Sequence, residues 1–110
     1  ETKDVALALD KNRAPGVSNF VIAIDMRSRP STKLEQAIME LGPACRIIGS
    51  VWALSGAYTV SGLRNQLVQY FGTSDSFFIV DATNGKTAWY NLGPEADSRI
   101  RRVWDNVVKR

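Results

Sequence analysis

The residues best placed to do chemistry gather at one point in the chain. Asp25 closes the apolar run Phe20-Val-Ile-Ala-Ile24, and Arg27 and Arg29 follow at once in the segment Arg27-Ser-Arg-Pro30. A carboxylate at a strand end can help to hold a divalent cation, and guanidinium groups beside it can grip phosphate oxygens in a forked geometry. Mg²⁺ prefers oxygen ligands in an octahedron, so one aspartate alone is too few. The competing reading makes Asp25 a strand-end residue that caps the next turn through backbone amides. Ser28 and Ser31 can donate to the same phosphate, although a helix cap is the better reading for Ser31.

Much other chemistry is excluded. The chain has no histidine, which removes the commonest general base, histidine metal sites and Ser-His or Cys-His nucleophilic pairs. One cysteine, Cys45, allows neither an internal disulfide nor a zinc site, and its place at a strand start reads as a packed thiol. Neither GxGxxG nor GxxxxGK[ST] occurs. Trp52, Trp89 and Trp104 could in principle stack on bases, but Trp104 lies on an apolar stripe and the other two sit in or near strands, so packing is the expectation for all three. Arg101 and Arg102 lie off that stripe and are further candidates for phosphate. Acids at the start and bases at the end of the same segment are also what a helix dipole favours.

Positioning these residues falls to an ordinary globular chain. The 110 residues are 45% hydrophobic and 23% charged with a formal net charge of +3, which fits one domain with a real core. No apolar run approaches the roughly 20 residues of a membrane span, and the first residues do not read as a signal peptide, so the expectation is a cytoplasmic protein.

Residues 1–18 read as an arm or linker, broken by Asn12, Pro15, Gly16 and Ser18. Phe20–Ile24 has the β-branched richness of a central strand. Thr32 and Glu35 have capping-box spacing, and Leu34, Ala37, Ile38 and Leu41 follow at helical intervals until Gly42-Pro43 stops the helix. Two short strands, Cys45–Ile48 and Val51–Leu54, flank Gly49-Ser50, which is either a two-residue turn or a bulge in a longer strand. Thr59 caps a second helix with Leu63, Leu67, Tyr70 and Phe71 on its apolar face. Phe77–Val80 is a buried strand, Asn84-Gly85 a turn, and Thr87–Tyr90 a fifth, edge strand. Ile100, Val103, Trp104, Val107 and Val108 then mark an amphipathic helix.

Three stretches in this order resemble a known family. They are Val21-Ile-Ala-Ile-Asp25, then Ser50-Val-Trp-Ala-Leu54 with Thr59-Val-Ser-Gly-Leu-Arg64, then Ser74-Asp-Ser-Phe-Phe-Ile-Val80 followed by Thr87-Ala-Trp-Tyr-Asn-Leu92. They resemble the SinR-like proteins of the Cas-two superfamily, small chains related to the CRISPR adaptation scaffold and to VapD toxins, over about residues 19–92. The resemblance implies a homodimer with Asp25 near its symmetry mate. In members with nuclease activity such a pair holds Mg²⁺ or Mn²⁺; in integration scaffolds the dimer binds DNA through basic surfaces without cutting it.

The fold expected is therefore α+β, a ferredoxin-like βαββαβ sandwich at 19–92. An arm precedes it, and a C-terminal helix at 93–110 packs on the domain or on a partner subunit. The function expected is a dimer that binds nucleic acid through Arg27, Arg29, Arg101 and Arg102, without organic cofactor or membrane. Weak metal-dependent phosphodiesterase activity would follow if Asp25 is catalytic and binds metal. The alternative is a non-catalytic interaction module. Binding without catalysis is favoured, because so few acids surround Asp25.

Overall fold

A computed structural model describes residues 13–104. Strand β1 (Arg13–Asp25) leads to helix α1 (Thr32–Leu41), strands β2 (Ala44–Ile48) and β3 (Val51–Tyr58), helix α2 (Val60–Leu67), strand β4 (Ser76–Asp81) and helix α3 (Pro94–Val103). The result is an α+β domain with one four-stranded sheet in the order β2-β3-β1-β4, every neighbouring pair antiparallel.

Alternation along the strands explains why helices cover both faces. Side chains of a strand point to opposite sides in turn. Phe20 and Ile22 of β1 with Trp52 and Leu54 of β3 form one buried layer, closed by Leu34 and Ile38 of α1 and by Leu63 and Leu67 of α2. The intervening residues face the other way. Val21, Cys45, Ile47 and Ala53 pack there against Ile100 and Trp104 from α3 and its end. The C-terminal helix thus docks on its own domain, over the part of the sheet that β2 and β3 provide. The expected stripe continues through Val107 and Val108, which lie outside the described residues.

Helix α1 ends where the sequence marks its end, and Gly42 is required there for space. A Cβ at that position would sit 2.2 Å from the Ser55 carbonyl oxygen. Thr59 caps α2 by accepting from the Gly62 amide at 2.9 Å. The β2–β3 connection is the two-residue turn and not a bulge at Gly49; the irregularity lies one step earlier, in β2. Gly49, at φ 50°, and Ser50 make a two-residue turn, while the register slips between Arg46 and Ile48.

Several expectations need correction. Strand β1 begins at Arg13, so Pro15, Gly16 and Ser18 belong to a strand and not to a linker. Pro15 and Gly16 fall within a register irregularity between Arg13 and Ser18, where a missing N–H and a missing side chain are tolerated. Residues 1–12 of the expected arm lie outside the described residues. Thr32 and Glu35 make no capping box. Ser31 holds the N-cap position without a side-chain cap bond, and its hydroxyl donates instead to Glu35 Oε2 at 2.8 Å. Strand β4 is an edge strand and not a buried one, with Phe78 68% exposed. The fifth strand is absent among the described residues, because Thr87–Tyr90 is held elsewhere. Trp89 donates its indole N–H to Asp97 of α3 at 2.8 Å, and Asn91 and Gly93, both at positive φ, turn the chain into that helix. The segment therefore packs against the α3 cluster, and among the described residues no strand pairs with the outer edge of β4.

Candidate functional site

Asp25 ends β1 opposite Ser76 of β4, at the point where the sheet gives way to the 26–31 loop. Its half-exposed carboxylate accepts from Arg27 Nε at 3.0 Å. The loop itself is held by Asp75, a residue that sequence reading passed over. Asp75 Oδ1 accepts from the amides of Arg27 at 2.6 Å and Ser28 at 2.8 Å, while Oδ2 accepts from the Ser28 hydroxyl and from the Gly72 amide at 2.7 Å. The Ser28 hydroxyl and then the amides of Gly72, Arg27 and Ser28 all favour the ionised form. They hold the Asp75 carboxyl well below the usual carboxylate range. The turn-capping role that the sequence offered for Asp25 thus falls to Asp75, one strand away. A short Gly-x-x-Asp spacing before β4 was the available signal.

Beside Asp25 lies an open cleft of about 400 Å³, bounded by Arg29 and Ser31 of the loop, Glu35 of α1, and Arg46 and Trp52 of the sheet. Glu35 accepts from Arg46 Nη2 at 2.6 Å, and the Arg46 guanidinium lies 5.5 Å from the Trp52 ring centroid. Glu35 and Trp52 hold Arg46 from two directions, which keeps its fork oriented.

A second cleft, of about 520 Å³, begins on the far side of Arg46, between α1, the outer edge of β2 and α3. Arg46 and Trp52 line both clefts. Arg99 and Arg102, one turn apart on α3, complete the second one, and no carboxylate lines it among the described residues. Arg99 reaches the exposed Glu95 at 3.6 Å; Arg102 donates to Ser98 Oγ at 3.3 Å and has no ion pair among the described residues.

The sequence-marked residues are therefore divided. Arg29 shares the first cleft with Asp25, Arg27 is paired with Asp25, and Arg102 opens on the second cleft. Arg101 lies on the other flank of α3, bonded to Asp97 at 3.1 Å and stacked over Trp89 at 5.1 Å from the centroid. Sequence reading missed Arg46 and Arg99. An arginine at an alternate position of a short edge strand was the only sign of the first, and α3 registry was needed for the second.

Among the described residues the donors beside Asp25 are too few and too engaged to hold a divalent cation within one chain. Asp25 and Glu35 are each engaged by an arginine, Arg29 lines the same cleft, and no group of three His, Cys, Asp or Glu side chains that could hold a metal occurs among the described residues. No helix among the described residues is long and apolar enough to cross a membrane. Comparison of the chain with known proteins finds no matching family model, no matching curated protein and no matching solved structure.

Proposed function

We propose that this domain is a ferredoxin-like, Cas-two/SinR-like protein that binds nucleic acid as a homodimer in the cytoplasm, without cutting it. The fold reading rests on the strand order β2-β3-β1-β4 with antiparallel neighbours. In that order β3 lies between β1 and β2, and β1 lies between β3 and β4. Each helical crossover therefore spans one strand, with α1 and α2 on one face.

One observation carries the binding reading. Two clefts meet at Arg46 and Trp52, and together they gather Arg29, Arg46, Arg99 and Arg102 around the β2 edge, the first two from the α1 face and the last two from α3 on the opposite face. Forked guanidiniums in a row are suited to successive phosphates, whereas the net charge of +3 alone would say little.

The open β4 edge supports dimerisation. Among the described residues β4 has no outer neighbour; such an edge offers N–H and C=O groups for pairing, and here it presents exposed Phe78 and Val80 as well. Joining two copies edge to edge has a consequence for Asp25. Two β4 strands would lie between the two β1 strands, so three strand spacings separate the Asp25 backbones, about 14 Å at least. That exceeds what two aspartates bridging one cation can span. Edge pairing and a shared Mg²⁺ or Mn²⁺ are mutually exclusive, and the arginine already on Asp25 favours the first.

Oligonucleotide retention on the purified protein tests the reading. Arg29→Gln and Arg46→Gln should each weaken binding several-fold, while Arg64→Gln on α2 and Asp25→Ala should not. Failure to retain any nucleic acid at low salt would overturn the binding reading and leave an interaction module built on the β4 edge. Metal-dependent cleavage that vanishes in Asp25→Ala would overturn the non-catalytic part.

A further inference from the structure

We infer that the cleft between α1, the β2 edge and α3 is a nucleotide seat, taking the phosphates on Arg99 and Arg102 and an unpaired base against its apolar floor. The proposal rests on the nucleic-acid reading above but names a site and a ligand that the reading does not require.

The cleft combines two chemistries. Three guanidiniums, Arg46, Arg99 and Arg102, stand around it; Arg46 and Arg99 keep their carboxylate partners Glu35 and Glu95 outside the described lining, and Arg102 has no ion pair among the described residues, so a polyanion finds donors there. Its floor is apolar: Met39 from α1, Cys45 from β2 and Val103 from α3. Met39 is 60% exposed, so its side chain is available to a ligand in the cleft. At about 520 Å³ the space falls within the range of small-ligand sites, which are mostly apolar with a few placed polar groups. A bare phosphate would leave the floor wet, and an apolar ligand would leave three arginines unused. A nucleotide satisfies both parts.

The Arg46 guanidinium adds direction. It is held at Nη2 by Glu35 and lies over Trp52, so a planar base can stack on a guanidinium that is already oriented. The charge arrangement puts phosphates at the α3 side. Glu35 sits behind Arg46, and Glu95, the only acid ion-paired to the α3 arginines of this cleft among the described residues, is 87% exposed in its side chain and lies one turn before Arg99. Such chemistry could come from a free nucleotide or from one unpaired nucleotide of a strand.

Calorimetry with ADP, pyrophosphate, a short oligothymidylate and its abasic counterpart distinguishes these sources and tests the seat. A base-bearing probe should bind about tenfold more tightly than its base-free counterpart. The pair Arg99→Gln/Arg102→Gln should weaken that probe about tenfold. Met39→Ala should weaken the base-bearing probe alone, an effect that loss of charge cannot imitate. Binding of ADP assigns a free nucleotide; binding of oligothymidylate without ADP assigns a strand. Equal affinity for base-bearing and base-free probes would overturn the seat. If Arg29→Gln and Arg46→Gln still weakened retention in that case, the nucleic-acid reading would stand without it. No effect of the double arginine substitution would overturn it also, as would absence of binding by all four probes.

Discussion

Docking of α3 on its own domain can be tested at Ile100. This side chain is 1% exposed and packs with Cys45, Ala53 and Trp104 under the helix. Ile100→Ala removes three carbons from a closed site. At about 0.8 kcal/mol per buried methylene the transfer term is about 2.4 kcal/mol. A residual cavity raises the expected loss to about 2–4 kcal/mol. A domain of this size has about 5–15 kcal/mol in total, so the loss is a large share of it. Urea unfolding followed by tryptophan fluorescence should show a lower midpoint with an unchanged slope. Amide exchange in α3 should quicken at least as much as in β1. Since the contact lies within one chain, the shift should not depend on protein concentration. A loss under about 0.5 kcal/mol, the ordinary range for surface changes, would refute the docking. A loss seen only at concentrations where dimers form would refute the intrachain contact.

Three further outcomes are expected. Gly42→Ala should cost about 1–3 kcal/mol in urea unfolding, because the new Cβ meets the Ser55 carbonyl and the β3 backbone must shift; a neutral result would contradict the close approach. Asp75 has a native pKa below its unfolded one, so its contribution to stability is full above the unfolded value of about 4 and is lost as pH falls through the lowered native value. Asp75→Asn should therefore lower the thermal midpoint at neutral pH and flatten the acid limb of the midpoint–pH curve, and a curve parallel to wild type would refute this. Phe78→Lys should yield monomers in sedimentation while the far-ultraviolet circular dichroism stays unchanged; an intact dimer would remove the β4 edge as the interface.

What the sequence reveals and what it hides differ for physical reasons. Leu34, Ala37 and Ile38 with Gly42-Pro43, or Thr59 with Leu63 and Leu67, are local signals, and the structure places them as read. The run Phe20–Ile24 is legible as central because it is apolar on both faces. Phe77–Val80 reads the same way, yet half of it is exposed, since composition cannot say whether a neighbour strand arrives. The segment Thr87–Tyr90 has strand-like residues, but the Trp89–Asp97 bond draws it onto α3. The same limit governs the site. Asp25, Arg27 and Arg29 are adjacent in sequence and visible together. Arg46 and Arg99 join them only through the fold, one across the sheet and the other from the far end of the chain. Asp75, which holds the loop of Arg27 and Ser28, is equally distant in sequence.

The salt dependence of oligonucleotide binding tests the central claim most directly. If Arg29, Arg46, Arg99 and Arg102 each neutralise one phosphate of a single strand, log K should fall against log salt with a slope of about −3. Affinity would then drop about 50-fold between about 50 and 200 mM salt. In Arg46→Gln the slope should become shallower by about 0.7, since one phosphate contact is lost. A slope near zero, or a slope that Arg46→Gln leaves unchanged, would contradict the account.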